Sequence, residues 1–127
     1  MVQISNSYDA ANLFKALIKY PEQEELFVCS LTAARHVKDF HFVGLGTDAA
    51  VCISPKIIAK PAVLDMAAGV IICHTHPSGN PRPSKADIEQ TEKLRKALQL
   101  FDIELTDHII IAGDQYFSFV DEAVKNL

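Results

Sequence analysis

The chain has 127 residues, of which 49% are hydrophobic and 22% charged, and its formal net charge is −4. This length suits one domain whose single core needs neither disulfides nor metals to hold it together. The acidic balance argues against sequence-independent nucleic-acid binding, which requires a basic face. No apolar run reaches membrane-spanning length, and the first twenty residues lack the order of a signal peptide. We therefore expect a cytoplasmic protein.

The number and sequence context of the cysteines also favour a cytoplasmic location. Cys29, Cys52 and Cys73 are odd in number, and each lies in an apolar, strand-like context. They fit reduced core residues better than a disulfide framework.

The first predicted element is a helix capped by Ser7 or Asp9, which runs to about Lys19 and is terminated by Pro21. Its apolar stripe consists of Ala10, Leu13, Phe14, Leu17 and Ile18. Strands are predicted over 24–31 and 35–45, followed by a Gly-x-Gly turn at 44–46 and a short strand over 50–53.

A second helix is predicted to open at Ser54-Pro55, because proline is tolerated in the first helical turn. Pro61 is awkward in its interior, where a proline costs about 3 kcal/mol, so we expect a kink or break near residues 59–60. A central strand follows over 70–74.

The longest helix is predicted from Ser84 to about Leu100, with Ile88, Leu94, Ala97, Leu98 and Phe101 as its periodic residues. Two closing strands are predicted over 103–112 and 116–119, around the turn at Gly113-Asp114. Because strands and helices interleave, the fold class is α/β, with a mixed sheet flanked by helices.

The most informative segment follows the central strand. His74 and His76 are two residues apart on an extended chain, so their side chains project to the same side. Asp87 follows a loop of three prolines and a glycine, at the start of the longest helix. Two imidazoles and a carboxylate can supply three zinc ligands and leave a fourth position for water, as in catalytic zinc sites.

A simpler interpretation exists for each of these residues. The histidines can be polar residues where a strand leaves the sheet, and Ser84-x-x-Asp87 matches a helix capping box. The two roles of Asp87 can coexist in part, and the positive end of the helix dipole favours its ionised form. Taken with the histidines, the pattern favours a metal ligand at Asp87.

Glu24 and Glu25 begin a strand, and either one can serve as a general base or be a solvated charge. Arg82, in the loop after the histidines, can face a substrate or solvent equally well. His108 at a strand start favours a structural role or a contact with a ligand rather than direct metal binding.

The two remaining histidines, His36 and His41, have no partner pattern, so a surface or core-edge position is expected for them. The glycines at 44–46 lack the spacing of a dinucleotide loop, so we expect no phosphate site there.

These motifs resemble a known family. His74-x-His76-Pro77, followed after six residues by Ser84-x-x-Asp87, resembles the JAMM (MPN+) metalloprotease signature, and the whole string over 74–87 looks like its RadC branch. The resemblance extends over roughly residues 5–123. It includes the segments at 24–28, 46–47, 54–56, 107–110 and 116–119.

The resemblance implies that His74, His76 and Asp87 are zinc ligands and that the fold is similar to that of the cytidine deaminases. It makes Glu24 the general base, with Glu25 as the alternative, because a one-residue slip moves a strand residue to the opposite face. It also implies that Ser84 steadies the tetrahedral intermediate.

Three departures from the RadC pattern stand out. Thr75 replaces an asparagine that is common between the two histidines, at a position that is not a ligand. Pro61 falls where the family has an ordinary helix former. The N-terminal helix-hairpin-helix region of many RadC proteins has no counterpart in this sequence, as expected of a short homologue or a fragment.

The resemblance therefore implies a single RadC-like JAMM/MPN+ domain over 1–127 that uses Zn²⁺ to hydrolyse an amide or isopeptide bond of an unknown peptide or protein. A DNA-repair accessory or nucleic-acid-binding module is the alternative that the family name suggests, although the net charge of −4 opposes it. A third account is an inactive domain in which zinc serves stability alone. Uncovered sheet edges would allow homo-oligomers, and no membrane partner is expected.

Overall fold

The computed structural model describes residues 2–45 and 53–127. Within these ranges the chain forms three helices and six strands. In chain order they are α1 (Ser7–Lys15), β1 (Glu25–Leu31), β2 (Val37–Leu45), α2 (Pro55–Leu64), β3 (Gly69–Thr75), α3 (Lys85–Gln99), β4 (Glu104–Ala112), β5 (Gln115–Ser118) and β6 (Ala123–Asn126).

All six strands of the described residues belong to one sheet with the order β2-β1-β3-β4-β5-β6. The β3–β4 pair is parallel, and the other four pairs are antiparallel. A parallel pair needs a crossover connection, and α3 provides it. The predicted α/β class with a mixed sheet is confirmed.

The sheet is covered on both faces because β1 and β3 carry apolar residues on both sides. Phe14 of α1 packs with Phe27 and Ile71 on one face. On the other face α2 and α3 pack against Val28 and Ile72 of the same strands. A strand buried on both sides is a rigid support, and β3 is the strand that ends at His74 and Thr75.

The thiols of Cys29 and Cys73 are free and buried. Burial, with a smaller effect of Asp39, raises the pKa of Cys29 to about 12. These two cysteines therefore behave as small core residues. Cys52 lies outside the described residues, as do the predicted turn beyond Gly44 and most of the predicted strand over 50–53.

The first helix differs from its prediction at both ends. Its cap is Asn6, whose side chain accepts a hydrogen bond from the backbone N–H of Asp9, rather than Ser7 or Asp9. It ends at Lys15 rather than near Lys19. The backbone N–H groups of residues 19 and 20 instead donate to the side chain of Glu25, so a side-chain acceptor replaces the carbonyls of a last helical turn.

Helix α2 opens at Pro55 as predicted, and it continues without a break through Pro61. The expected break near residues 59–60 is therefore wrong. Pro61 removes one backbone hydrogen bond, but Ile58, Ala59 and Ala62 are buried around it and hold the helix on the sheet.

Helix α3 is the best-predicted element, with Ser84 as its N-cap. Two of its expected apolar residues, Ile88 and Phe101, are more than half exposed. Asp87 and Thr91 take the buried positions at the N-terminal end of the helix instead, which leads to the site. Strand β6 was missed by the sequence analysis. No helix of the described ranges is both long and apolar enough to cross a bilayer.

Candidate metal centre

His74 and His76 leave the sheet at the C-terminal end of β3. His74 lies opposite Leu26 of β1 and beside Ile110 of β4, and its side chain is almost completely buried. The backbone N–H of His76 donates to the carbonyl of Ile111 at 2.9 Å, so the chain continues along β4 for one residue beyond the strand. Both imidazoles therefore project from a fixed backbone toward α3.

Asp87 lies in the first turn of α3 and is held there by a capping box. The Ser84 hydroxyl oxygen accepts from the Asp87 N–H at 3.0 Å, and the Ser84 N–H donates to Asp87 Oδ2 at 2.8 Å. The capping role and the approach to the histidines coexist, because Asp87 Oδ1 takes no part in the cap and faces His74.

The three side chains converge. The Nε2 atoms of His74 and His76 are 2.9 Å apart. Asp87 Oδ1 lies 3.6 Å from the first of these atoms, and Oδ2 lies 3.4 Å from the second. Zinc bonds of about 2.0–2.2 Å in a tetrahedron put neighbouring ligand atoms roughly 3.3–3.6 Å apart. Both distances to Asp87 match this range, whereas the two imidazole nitrogens must move slightly apart to share one zinc ion. The donor set suits zinc.

The charges at the site favour a cation. Burial alone would lower the pKa of His76, but hydrogen bonds to Asp87 and the Asn80 carbonyl, and the charges of Asp87 and Glu24, raise it. Burial would raise the pKa of Asp87, yet His74, His76 and the Ser84 N–H together hold it well below its usual range. In the absence of metal, a proton on His76 takes the place of the ion.

The loop after the histidines orients His76. Gly79 has a φ of 87°, a left-handed conformation that glycine adopts without strain, and its N–H donates to the His76 carbonyl. This turn places the Asn80 carbonyl 2.8 Å from His76 Nδ1. Because a carbonyl only accepts, His76 carries a proton on Nδ1 and presents Nε2 to the site.

The two candidate bases face opposite sides of the sheet. Glu25 is buried on the α1 side, where one of its carboxylate oxygens accepts from the N–H groups of Lys19 and Tyr20. Glu24 precedes the strand on the side of Leu26 and His74, and its charge contributes to the raised pKa of His76. Within the described residues, each glutamate has one buried carboxylate oxygen, Oε2, without a hydrogen-bond partner.

Thr75, the residue between the two histidines, binds the segment that carries Glu24. Its hydroxyl accepts from the Glu25 N–H at 2.9 Å and donates to the Gln23 carbonyl at 3.2 Å. The backbone on both sides of Glu24 is thus tied to β3. Sequence analysis missed this role because Thr75 is not a ligand, although its place between two candidate ligands was a signal.

Behind His74 lies a second buried imidazole. His108 Nε2 is 2.7 Å from His74 Nδ1, and His108 Nδ1 is 2.7 Å from the hydroxyl of Thr91. Burial, together with the neighbouring His74, lowers the pKa of His108 well below its usual value. The expected contact of His108 with a candidate ligand, His74, is present, whereas Thr91 carried no signal in the sequence.

The other sequence candidates lie away from this centre. Arg82 is exposed in the loop. His41 Nε2 is 2.6 Å from Asp65 at the end of α2 and 3.9 Å from Asp39, whose side chain is 61% exposed. These three could also hold a cation. A partly exposed hydrogen bond between His41 and Asp65 explains this cluster without a cation, so we assign no site there.

Comparison with known proteins identifies the class. A family model described as the RadC-like JAB domain matches residues 4–124. The chain belongs to this family.

Three curated relatives carry the UPF0758 name. The Pseudomonas savastanoi protein is 34% identical over 122 residues, covering 95% of this chain and 54% of the relative. The Chlorobaculum tepidum protein CT0611 is 35% identical over 123 residues, covering 97% of this chain and 55% of the relative. The Aquifex aeolicus protein is 38% identical over 124 residues, covering 97% and 53%. The chain thus spans about half the length of these relatives.

Proposed function

We propose that this domain is a zinc-dependent hydrolase that cleaves an amide or isopeptide bond in a peptide or protein substrate. The observation that carries the proposal is the convergence of His74, His76 and Asp87, whose ligand atoms all lie within 4.8 Å of one another. The lowered pKa of Asp87 and the raised pKa of His76 support it, because they mark a site that favours positive charge.

A zinc ion held by these three residues would supply the positive charge that makes water nucleophilic at neutral pH, by lowering its pKa from 15.7 to about 7. The remaining steps belong to side chains of this domain. Glu24 accepts the proton of the attacking water and passes it to the leaving amine. Its carboxylate is partly buried and belongs to the side of the sheet that carries Leu26 and His74, whereas Glu25 lies on the opposite face.

Ser84 is proposed to stabilise the oxyanion. Its oxygen already accepts a hydrogen bond from the Asp87 N–H, and this uses a lone pair but leaves the O–H proton free. The cap fixes the oxygen beside the metal ligand, so the hydroxyl can donate to negative charge as it develops. Capping and catalysis are therefore compatible in one residue.

The first test is zinc content measured by elemental analysis of the purified domain, together with His76→Ala. We expect one zinc per chain in the wild type and loss of zinc in the variant. A peptide and isopeptide library then supplies a substrate for activity measurements. A wild type that takes up no zinc, or a His76→Ala variant that retains all of it, contradicts the proposal.

The second test separates catalysis from a purely structural ion. Glu24→Gln is nearly isosteric and removes the base, so we expect activity to fall at least 100-fold while zinc content and thermal unfolding stay unchanged. Glu25→Gln is the matched comparison on the opposite face. Equal, measurable activity of Glu24→Gln and the wild type would exclude Glu24 as the base. A zinc-loaded wild type that cleaves nothing in the library would leave zinc with a stabilising role alone.

A further inference from the structure

A chain of buried polar groups runs from α3 through β4 to the end of β3. It begins at the backbone carbonyl of Asp87, passes through the Thr91 hydroxyl and the His108 ring, and ends at His74 Nδ1. Thr91 is 7% exposed, His108 is not exposed, and His74 is 1% exposed. Solvent therefore does not supply the protons of these hydrogen bonds, and each donor and acceptor can be assigned in turn.

The Thr91 hydroxyl sets the donor-to-acceptor direction of these hydrogen bonds. Its oxygen is 2.6 Å from the carbonyl oxygen of Asp87, four residues earlier in the helix. A carbonyl cannot donate, so the single hydroxyl proton of Thr91 lies in this bond. The Thr91 oxygen can then only accept from its other neighbour. His108 must therefore carry its proton on Nδ1, which lies 2.7 Å away.

The proton position on His74 follows from the same hydrogen-bond geometry. His108 Nδ1 donates to Thr91, and the other ring nitrogen of His108 lies against His74 Nδ1. A neutral imidazole has one N–H donor and one acceptor nitrogen. With its one proton on Nδ1, the Nε2 atom of His108 can only accept. His74 must donate from Nδ1 across the 2.7 Å contact. The lone pair of a neutral His74 is therefore on Nε2, the atom that faces His76 and Asp87.

Two further contacts fix the His108 ring. It is stacked on Phe119, with ring centroids 4.4 Å apart and an interplanar angle of 1°. Its backbone N–H donates to the carboxylate of Asp107 at 2.7 Å. The ring is therefore restrained from its face and at its backbone, so it presents Nε2 to His74 in one orientation.

We propose that Thr91 and His108 are positioning residues that fix the tautomer of His74 and link it to the helix that carries Asp87. This inference rests on the proposed metal-binding function and adds the residues that prepare the site. Because Thr91 binds the Asp87 carbonyl, one hydroxyl joins a ligand on α3 to a ligand on β3. Removing the hydrogen-bond partner of a metal-binding histidine typically lowers metal affinity 10–100-fold.

The test compares Thr91→Val, which keeps the side-chain shape but removes the hydroxyl, with Thr91→Ser, which retains it. We expect Thr91→Val to weaken zinc binding 10–100-fold in a competitive chelator titration, and Thr91→Ser to restore it to within a few-fold of the wild type. Ser7→Ala is the matched control. It removes a buried, hydrogen-bonded hydroxyl on α1, on the other face of the sheet. If Thr91→Val acted only by loosening the fold, its zinc affinity would change no more than that of Ser7→Ala.

The second readout is the histidine ¹⁵N spectrum of the metal-free protein, which reports which ring nitrogen carries the proton. In the wild type we expect protonated Nδ1 and unprotonated Nε2 on His108, with a proton on His74 Nδ1. In Thr91→Val the proton of His108 should move to Nε2, because its former acceptor is gone. His74 must then accept at Nδ1 and carry its proton on the atom that would bind zinc.

Two results would overturn the inference alone: wild-type zinc affinity in Thr91→Val, or a wild-type spectrum with the His108 proton on Nε2. A wild-type protein that binds no zinc would overturn the proposed function. The spectrum of that protein would still test the hydrogen-bond chain separately.

Discussion

Ser84 and Asp87 each donate a backbone N–H to the other's side chain, at 2.8 and 3.0 Å respectively. This reciprocal cap aims a proposed metal ligand from the first turn of α3. If Ser84 also takes the proposed part in catalysis, one substitution there changes stability and activity together. The two effects can be separated by the choice of the replacing residue.

Ser84→Ala removes both the cap acceptor and the O–H donor, so we expect a loss of about 1 kcal/mol in the free energy of unfolding and a large loss of activity. Ser84→Asp keeps a good N-cap acceptor but has no O–H to donate. It should unfold at nearly the wild-type urea concentration and still be about 100-fold less active. Full activity in Ser84→Asp would remove the hydroxyl from the mechanism.

Thr75→Val should lower kcat without weakening zinc binding. The substitution leaves the buried N–H of Glu25 and the carbonyl of Gln23 without the threonine hydroxyl, at a cost of about 1–3 kcal/mol in urea unfolding. It also releases the backbone on both sides of Glu24. Thr75→Ser, which keeps the hydroxyl, is the control and should retain kcat. A zinc affinity that falls together with kcat would show that the strand end itself had moved.

Zinc binding should depend on pH through His76, whose pKa is raised in the metal-free protein. A raised pKa means that protonated His76 stabilises the fold at pH values below its unfolded pKa. This contribution is lost as pH rises through the higher folded value. Zinc needs the neutral ring, so its affinity should fall about tenfold per pH unit, for each proton displaced, once pH drops below that folded value.

Calorimetric titration with zinc checks this prediction. Proton release, measured in buffers of different ionisation enthalpy, should grow as pH falls. In His76→Ala the pH dependence should lose the part due to this ring. An affinity that stays constant from about pH 8 to pH 6 would contradict a binding role for His76.

Gly79→Ala should destabilise the loop by about 1–2 kcal/mol, because φ is 87° there and a side chain strains that conformation. An added Cβ would meet no atom within 4 Å, so the loss of stability comes only from the strained backbone conformation. The same turn places the Asn80 carbonyl on His76, so zinc affinity should fall as well. Gly44→Ala is the matched control, with equal space and no positive φ. Equal unfolding free energies for the two variants would refute the strain argument.

The parts of the site that sequence predicts are those set by local geometry. Alternation along a strand places His74 and His76 on one side, and helix capping places Ser84 and Asp87 in one turn. Both rules act over a few residues, so they can be read from spacing. The same holds for most element boundaries, which differ from the prediction by a few residues.

The parts that sequence does not predict depend on contacts between distant residues. Thr91 meets His108 only because α3 crosses over a parallel strand pair in one particular register. The early end of α1 has a nearer cause, because the Glu25 side chain accepts from the N–H groups of residues 19 and 20. No local periodicity encodes either pairing.

The two apolar layers on either side of the sheet contain none of the three proposed zinc ligands. Chelation should therefore empty the centre without melting the domain, unlike a small zinc finger that collapses once its ion is withdrawn. The metal-free protein would then stay folded when zinc is scarce. It would bind zinc again, without refolding, once the ion became available.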